Sequence, residues 1–288
     1  MNLDYVYRLD HFAKPGETIA AHKQRLNAGG KGLNQSIALA RAGANVWHAG
    51  CVGKGGEMLT QMLKSNGVHT DYVFKVDELQ GNAVIQVDRN GENSIILFGG
   101  SNRCITHKQI EQTLSGFGQG DWLVLQNEIN NLPLIVNMAK GRGMEIMLNP
   151  SPFDKSVAML DFDMLSWIVV NEIEAGQLTG FTEPEKIFRA VHGQYPDLSV
   201  LLTLGAGGSI AWNVANGRVY SCRQDIFHTN VVDTTGAGDT FTGYFIAGLA
   251  EGRDVQQSMM RAAKAASIAV GREGAAVSIP WSEELGFK

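Results

Sequence analysis

Trp167-Ile168-Val169-Val170-Asn171-Glu172-Ile173-Glu174-Ala175-Gly176-Gln177-Leu178 changes character once along its length. The first four residues are large, apolar and mostly β-branched, with no polar position to turn toward water, which describes a strand buried on both faces. From Glu172 onward the stretch takes on helical periodicity. A buried strand feeding directly into a helix is the unit of a parallel sheet covered by helices. Working outward, 121–125, 145–148 and 200–204 repeat the apolar run, while 132–141, 185–194 and 255–270 repeat the helical one. The alternation predicts an α/β chain with a doubly wound, mostly parallel sheet and helices on both faces.

Two regions depart from that rhythm. Residues 18–26, and then 71–88 with 93–98, have longer β character, punctuated by Gly81 and by the hairpin signal Asn90-Gly91. They predict a small antiparallel sheet, built from about 12–30 and 71–100, set as a lid over the crevice where α/β sheets bind ligands. The whole of 1–288 is then a single domain with that appendage.

Composition narrows the function. The chain is 44% hydrophobic and 18% charged, a balance suited to a globular enzyme. Its net charge of −5 provides no general attraction to nucleic acid or an anionic membrane. Cys51, Cys104 and Cys222 are odd in number and far apart, so reduced thiols in a cytoplasmic protein are expected. The seven histidines are scattered without metal-ligand spacing. No apolar run approaches the roughly 18 residues of a membrane span, and no signal-peptide pattern opens the chain.

The densest chemistry lies in Asp233-Thr234-Thr235-Gly236-Ala237-Gly238-Asp239-Thr240-Phe241, ahead of a helical run to about Leu249. Small residues opening a helix leave free N–H groups at its positive end, which is a site for an anion. Asp239 gains only repulsion from a phosphate bound there, so it is either a base that takes a proton from an attacking hydroxyl or an ordinary acid of a helix first turn. Asn27-Ala28-Gly29-Gly30-Lys31-Gly32-Leu33-Asn34-Gln35 also sets a glycine turn before a helix. Its glycines permit close approach to a ligand, Lys31 supplies a cation and Asn34 both donor and acceptor; a simple tight turn accounts for it equally. Asn171 and Glu174 lie on one helical face after a strand, placed either to organise Mg²⁺ near a nucleotide or to cap the helix. Thr203-Leu204-Gly205-Ala206-Gly207-Gly208 joins a strand to a second strand, as a nucleotide loop or a plain connection.

In this order and approximate spacing the four pieces resemble the PfkB carbohydrate kinases. Gly29-Gly30-Lys31-Gly32-x-Asn34-Gln35, Asn2-Leu3-Asp4, Pro15-Gly16-Glu17-Thr18 and Leu148-Asn149-Pro150-Ser151-Pro152 are similar to the ribokinase-type members. The resemblance covers essentially the whole chain. It implies a ribokinase-like fold and an ATP-dependent sugar kinase that phosphorylates the primary (5-) hydroxyl of ribose or a similar furanose. It places Asn2, Asp4, Gly30, Lys31, Asn34 and Glu128 on the sugar, and makes Asp239 the base, with Gly236, Ala237 and Gly238 as the anion hole. It assigns Asn171 and Glu174 to Mg²⁺-ATP, Thr203, Gly205 and Gly208 to the nucleotide pocket, and Asp233, Thr235, Ala269, Arg272, Gly274 and Ser278 to K⁺. Dimerisation through the lid is implied as well. In the family a β-strand precedes the Asn-x-Asp sugar motif; here Met1-Asn2 opens inside it, so the first strand of the sheet is expected to be absent from this chain, with lower stability and impaired sugar binding.

Alternatives within the family are kinases of fructose, of a keto-deoxy-gluconate or of a nucleoside. A different class is a catalytically impaired sugar- or nucleotide-binding protein, against which Asp239 and its glycine turn argue. A nicotinamide-dependent oxidoreductase needs Gly-x-Gly-x-x-Gly between a strand and a helix. Gly53-Lys54-Gly55-Gly56 is expected to lack that setting.

Overall fold

The computed structural model describes residues 1–287. Strand β1 (Asn2–Arg8) opens the chain and β2 (Lys23–Gly29) returns beside it, running into helix α1 (Lys31–Arg41). Then come β3 (Trp47–Lys54), α2 (Glu57–Ser65), β4 (His69–Leu79), β5 (Asn82–Val87), β6 (Asn93–Phe98) and α3 (His107–Leu114). The middle of the chain alternates as expected: β7 (Trp122–Gln126), α4 (Leu132–Gly141), β8 (Glu145–Asn149), β9 (Trp167–Asn171), α5 (Glu172–Thr179), α6 (Pro184–Gln194) and β10 (Ser199–Thr203). A hairpin of β11 (Ser209–Ala215) and β12 (Arg218–Gln224) precedes α7 (Ala237–Ala250) and α8 (Val255–Ala269).

The main sheet has the order β12-β11-β10-β9-β8-β7. Its strands β7 to β10 are parallel, and β11 and β12 are antiparallel at one edge. The β11–β12 turn is Asn216-Gly217, both with positive φ (52° and 67°), the backbone that two-residue hairpins require. The continuous apolar runs are explained by burial on two sides. Leu201 and Val169 point into a core shared with α1, α7 and α8, while Val200, Leu202, Ile168 and Val170 point into a second core beneath α4, α5 and α6.

The lid is a four-stranded sheet of order β2-β1-β5-β6. Its composition differs from the expectation in three respects. Asn2–Arg8 is an inner strand of the lid, antiparallel to β2 and parallel to β5. The second strand starts only at Lys23. The segment from 71 to Leu79 belongs to β4, which pairs in parallel with β3 as a separate two-stranded sheet. The chain changes sheets at Gln80-Gly81, where the buried Gln80 amide donates to the Met1 carbonyl (2.8 Å) and accepts from the Gly53 N–H (3.0 Å). β character is local, whereas the choice of partner depends on that long-range pin. Gly53-Lys54-Gly55-Gly56 does lie between strand β3 and helix α2, contrary to expectation; its Gly53 packs against the backbone of Glu78 instead of opening to a ligand.

Helices α1 and α7 pack at unusually close range. A Cβ on Gly243 would stand 2.4 Å from the Ala38 Cβ and 3.0 Å from the Gln35 carbonyl oxygen. Gly243→Ala therefore pushes the two helices apart at a fully packed contact, and a loss of about 1–3 kcal/mol is expected. Thermal unfolding should show Tm lowered by about 3–10 °C; an unchanged Tm would mean that the helices separate without cost.

Candidate active site

The α1–α7 contact sets the centre of the site. Gly30 carries φ 87° and a Cβ there would lie 2.9 Å from the Asn2 backbone N, so the turn into α1 needs glycine on both counts. Helix α1 then projects Asn34 and Gln35 toward the first turn of α7. The Asn34 Nδ2 donates to Asp239 Oδ2 and the Gln35 Nε2 to Asp239 Oδ1, each at 2.9 Å. All three side chains are buried. Gln126, at the end of β7, donates to the Gln35 Oε1 at 2.7 Å, which fixes the orientation of the Gln35 amide so that its NH₂ faces Asp239. The Asn34 Oδ1 is buried and, among the described residues, has no hydrogen-bond partner.

Around this centre stand the other residues expected on a sugar. Asp4 projects from β1 against Gly29, where a Cβ would overlap its carboxylate. Glu128 Oε2 accepts from the Lys31 backbone N–H at 3.1 Å. Asn2 is buried, and its Oδ1 accepts from Asn102 Nδ2 at 2.7 Å. Burial, then the neighbouring charge of Glu128 and further that of Asp239, pushes the Asp4 carboxyl up to about 7. Glu128 is raised too, by burial first and by Asp239 among its neighbours. The structure thus brings three carboxyl groups close enough to influence one another.

The glycine turn before α7 departs from expectation at one residue. Gly236 has φ 75° and closes against Ala275. The Ala237 N–H is taken by the Thr234 carbonyl at 3.2 Å. Among the described residues the N–H groups of Gly238 and Asp239 have no acceptor, so the donors at this helix end are Gly236, Gly238 and Asp239 rather than Ala237.

Asn171 and Glu174 form a capping box for α5: Asn171 Oδ1 accepts from the Glu174 N–H (2.8 Å) and Glu174 Oε2 from the Asn171 N–H (3.1 Å). Glu174 Oε2 also receives the Asn149 amide at 3.3 Å, so this oxygen is committed to the fold and fits poorly as a metal ligand. Thr203 is the register partner of Asn171 across β9 and β10, which brings the two expected nucleotide residues together at the strand ends. Gly205 (φ 52°) and Gly208 (φ 83°) shape the next turn, and Gly208 is closed against the Gln224 carbonyl.

The six residues expected at a cation converge where α8 ends. Asp233 Oδ1 accepts from the Thr235 N–H (2.9 Å) and hydroxyl (2.6 Å), and its Oδ2 from the Gly274 N–H (2.9 Å). Burial opposes the Asp233 charge, but those hydrogen bonds outweigh it and hold the carboxyl below its ordinary value. The Ala269 carbonyl receives the Arg272 N–H, and the Arg272 guanidinium reaches the Ser278 carbonyl and Glu284. An ionised carboxylate among backbone carbonyls and hydroxyls is the all-oxygen donor chemistry of a hard cation. Arg25 of the lid pairs with Glu273 of the same loop.

Sequence reasoning missed Gln35, Gln126 and Asn102. Gln35 was signalled by its position beside Asn34 in the glycine motif. Gln126 and Asn102 carry no local signal, because their partners lie 91 and 100 residues away in the chain.

Comparison with known proteins completes the identification. Residues 1–282 match the family model described as pfkB family carbohydrate kinase. The chain is 33% identical to a ribokinase of Haemophilus influenzae over 99% of its own length and 94% of the relative's. It superimposes on Arabidopsis thaliana ribokinase complexed with ribose and ATP with a TM-score of 0.86 and 31% identity, covering 100% of this chain and 96% of that one. Ribokinase from Cryptococcus neoformans in complex with ADP gives 0.83 and 34%, with 99% and 96% covered. A carboxylate-and-amide centre at the α1–α7 contact and kinship along the whole chain lead to one assignment: the protein belongs to the PfkB carbohydrate kinases, phosphotransferases acting on a sugar hydroxyl.

Proposed function

We propose that this protein transfers the γ-phosphoryl group of ATP to the primary (5-) hydroxyl of ribose or a closely similar furanose, with Asp239 as the general base. The observation that carries the reading is Asn34. One end of its amide holds Asp239, and the other is a buried acceptor without a partner. An unsatisfied buried acceptor is costly, and a ligand hydroxyl beside the base would satisfy it. The similarity to a ribokinase complexed with ribose and ATP supports the sugar and the donor.

Asp239 takes the proton from the attacking hydroxyl while the amides of Asn34 and Gln35 keep its carboxylate in one orientation. The free N–H groups of Gly238 and Asp239, with that of Gly236, stabilise charge on the transferring group at the positive end of α7. Asn2, Asp4, Lys31 and Glu128 orient the sugar, and the lid excludes water from the reaction. Mg²⁺ would enter on the ATP phosphates, beside the β9 and β10 ends marked by Asn171 and Thr203. K⁺ would be held by Asp233, Thr235, Ala269, Gly274 and Ser278, where it supplies positive charge next to the anion-binding turn. Arg272 fits that set only through its backbone, since a guanidinium repels a cation.

A homodimer through the lid is part of the same proposal. Ile95, Ile96, Leu97 and Phe98 of β6 are 48–61% exposed on an edge strand, a surface suited to a second copy. Sedimentation at micromolar concentration should give the mass of two chains, and a monomer alone would refute the dimer.

ADP release with Mg²⁺-ATP and K⁺ should depend on sugar and be greatest with ribose among ribose, deoxyribose, fructose, keto-deoxy-gluconate and nucleosides. Asp239→Asn should lower kcat by about 10²–10⁴. Gln126→Leu should lower kcat about 3–10-fold with little change in KM, and have no further effect in a Gln35→Leu background. Sugar-dependent turnover that survives Asp239→Asn would remove Asp239 as base, and preference for another sugar would move the substrate but not the mechanism.

Asp4 gives a pH-dependent test. Its folded pKa of about 7 lies above the unfolded value, so the folded state holds the proton more tightly. Burial of Asp4 therefore costs nothing below the unfolded pKa, destabilises increasingly as pH rises from there to about 7, and levels off above it. Asp4→Asn should raise Tm at pH 8, change it little at pH 4, and raise the KM for sugar about tenfold or more. An equal shift in Tm at both pH values would contradict the assignment.

A further inference from the structure

The chain that leaves the lid passes the residues assigned to the sugar before α3 begins. Residues 99–106 join β6 to α3, and Ser101, Asn102 and Ile105 within them are buried. This strap makes two junctions. Its first half meets the lid: the Ser101 hydroxyl accepts from the Gly81 N–H at 3.4 Å, and Asn102 Nδ2 donates to Asn2 Oδ1 at 2.7 Å. The fit is tight, since a Cβ on Gly81 would stand 2.4 Å from Asn102 Nδ2. Its second half meets the loop 127–131, which joins β7 to α4 and carries Glu128.

Side-chain amides dominate the second junction. Asn130 Oδ1 accepts from the Ile105 N–H at 3.1 Å, and Asn130 Nδ2 donates to the Ile105 carbonyl at 2.9 Å. Asn131 Nδ2 donates to the same carbonyl at 2.8 Å, and Arg103 Nη1 to the Ile129 carbonyl at 2.7 Å. The Asn130 amide therefore bonds both main-chain groups of one residue, as a neighbouring strand would, and two bonds on a planar group fix its orientation as well as its distance. Asn131 shares the carbonyl but leaves the N–H alone, so the junction depends chiefly on Asn130. The other end of the loop is anchored at the fully buried Asn127, whose N–H donates to the Ser151 carbonyl at 3.1 Å and whose Nδ2 donates to the Pro152 carbonyl at 2.7 Å. Glu128 stands between the two anchors, with its Oε2 on the Lys31 N–H. A carboxyl that must meet ligand hydroxyls within hydrogen-bond range tolerates little shift of the backbone that carries it.

We propose that Asn130 is a positioning residue for sugar binding, its amide clamping the Glu128 loop to the strap that also holds Asn2. Asn2 on a lid strand and Glu128 on a loop of the main sheet then take their spacing from one short segment, residues 102–105. The inference rests on the reading above in which Asn2 and Glu128 meet the sugar.

The test compares the unaltered protein with Asn130→Ala, Arg103→Met, Glu128→Gln and the double variant Asn130→Ala/Glu128→Gln. One readout needs no sugar: residue-resolved exchange of the Lys31 N–H, which Glu128 accepts. Asn130→Ala should speed it by about five- to tenfold, and leave the Asn34 N–H, bonded to the Gly30 carbonyl, within about twofold. The second readout is kinetic. Asn130→Ala should raise the KM for ribose by about five- to tenfold while the KM for ATP and kcat stay within about twofold, and this increase should vanish in the Glu128→Gln background. Arg103→Met, at an exposed side chain, should raise the ribose KM by about threefold and speed Lys31 exchange to a similar extent. Should Asn130→Ala not fold, no change of either quantity in Arg103→Met would overturn the clamp. Unchanged Lys31 exchange in a folded Asn130→Ala would overturn it whatever the sugar shows. A lowered Tm with unchanged ribose KM, or an equal rise of ribose KM in the Glu128→Gln background, would reduce Asn130 to a structural residue. If Glu128→Gln left the ribose KM unchanged while Asn130→Ala still sped Lys31 exchange, the placing of Glu128 on the sugar would fall, and the role of Asn130 in sugar binding with it.

Discussion

Asp239 is held at two oxygens by two amides from another helix, and the rest of the site is arranged around that contact. Neutral amides orient a carboxylate without neutralising it. The arrangement works only because α1 and α7 approach closely at Gly243, where a single methyl group would collide with Ala38. Chemistry and packing therefore share one requirement. Close helix approach places Asn34 and Gln35, and their position fixes the orientation of the Asp239 carboxylate.

Electrostatics around that contact are costly to the fold. Asp4, Glu128 and Asp239 come from a lid strand, a loop after β7 and a helix terminus, and together they crowd negative charge into a buried space. Burial first, and the neighbouring carboxylates after it, raise the proton affinity of Asp4 and Glu128. Among the described residues the buried Asn34 Oδ1 is a further acceptor of this centre without a hydrogen-bond partner.

The lid and the sheet stay connected through few points. Gln80 pins the passage from β4 to β5 on Met1 and Gly53, and Arg25 reaches Glu273 in the loop that follows α8. The lid edge exposes Ile95 to Phe98 on a strand open to pairing along one side.

By itself the sequence determined the α/β class, the positions of strands β7 to β10 and their helices, and the glycine turns that open α1 and α7. Those features are local: a buried parallel strand must be apolar at successive residues, and a helix entered through positive φ needs glycine. It also marked Asn34, Asp239 and the pair Asn171 and Glu174, whose capping box and contact with Asn149 only the folded chain reveals. Only tertiary structure decided that Asn2–Arg8 is a lid strand, that β4 pairs with β3, that Ala237 is spent on the turn, and that Gln126 supports Gln35. Each of these depends on a partner brought in by the turn geometry or from far along the chain, and a strand or an amide carries no local record of what it will face once the chain is folded.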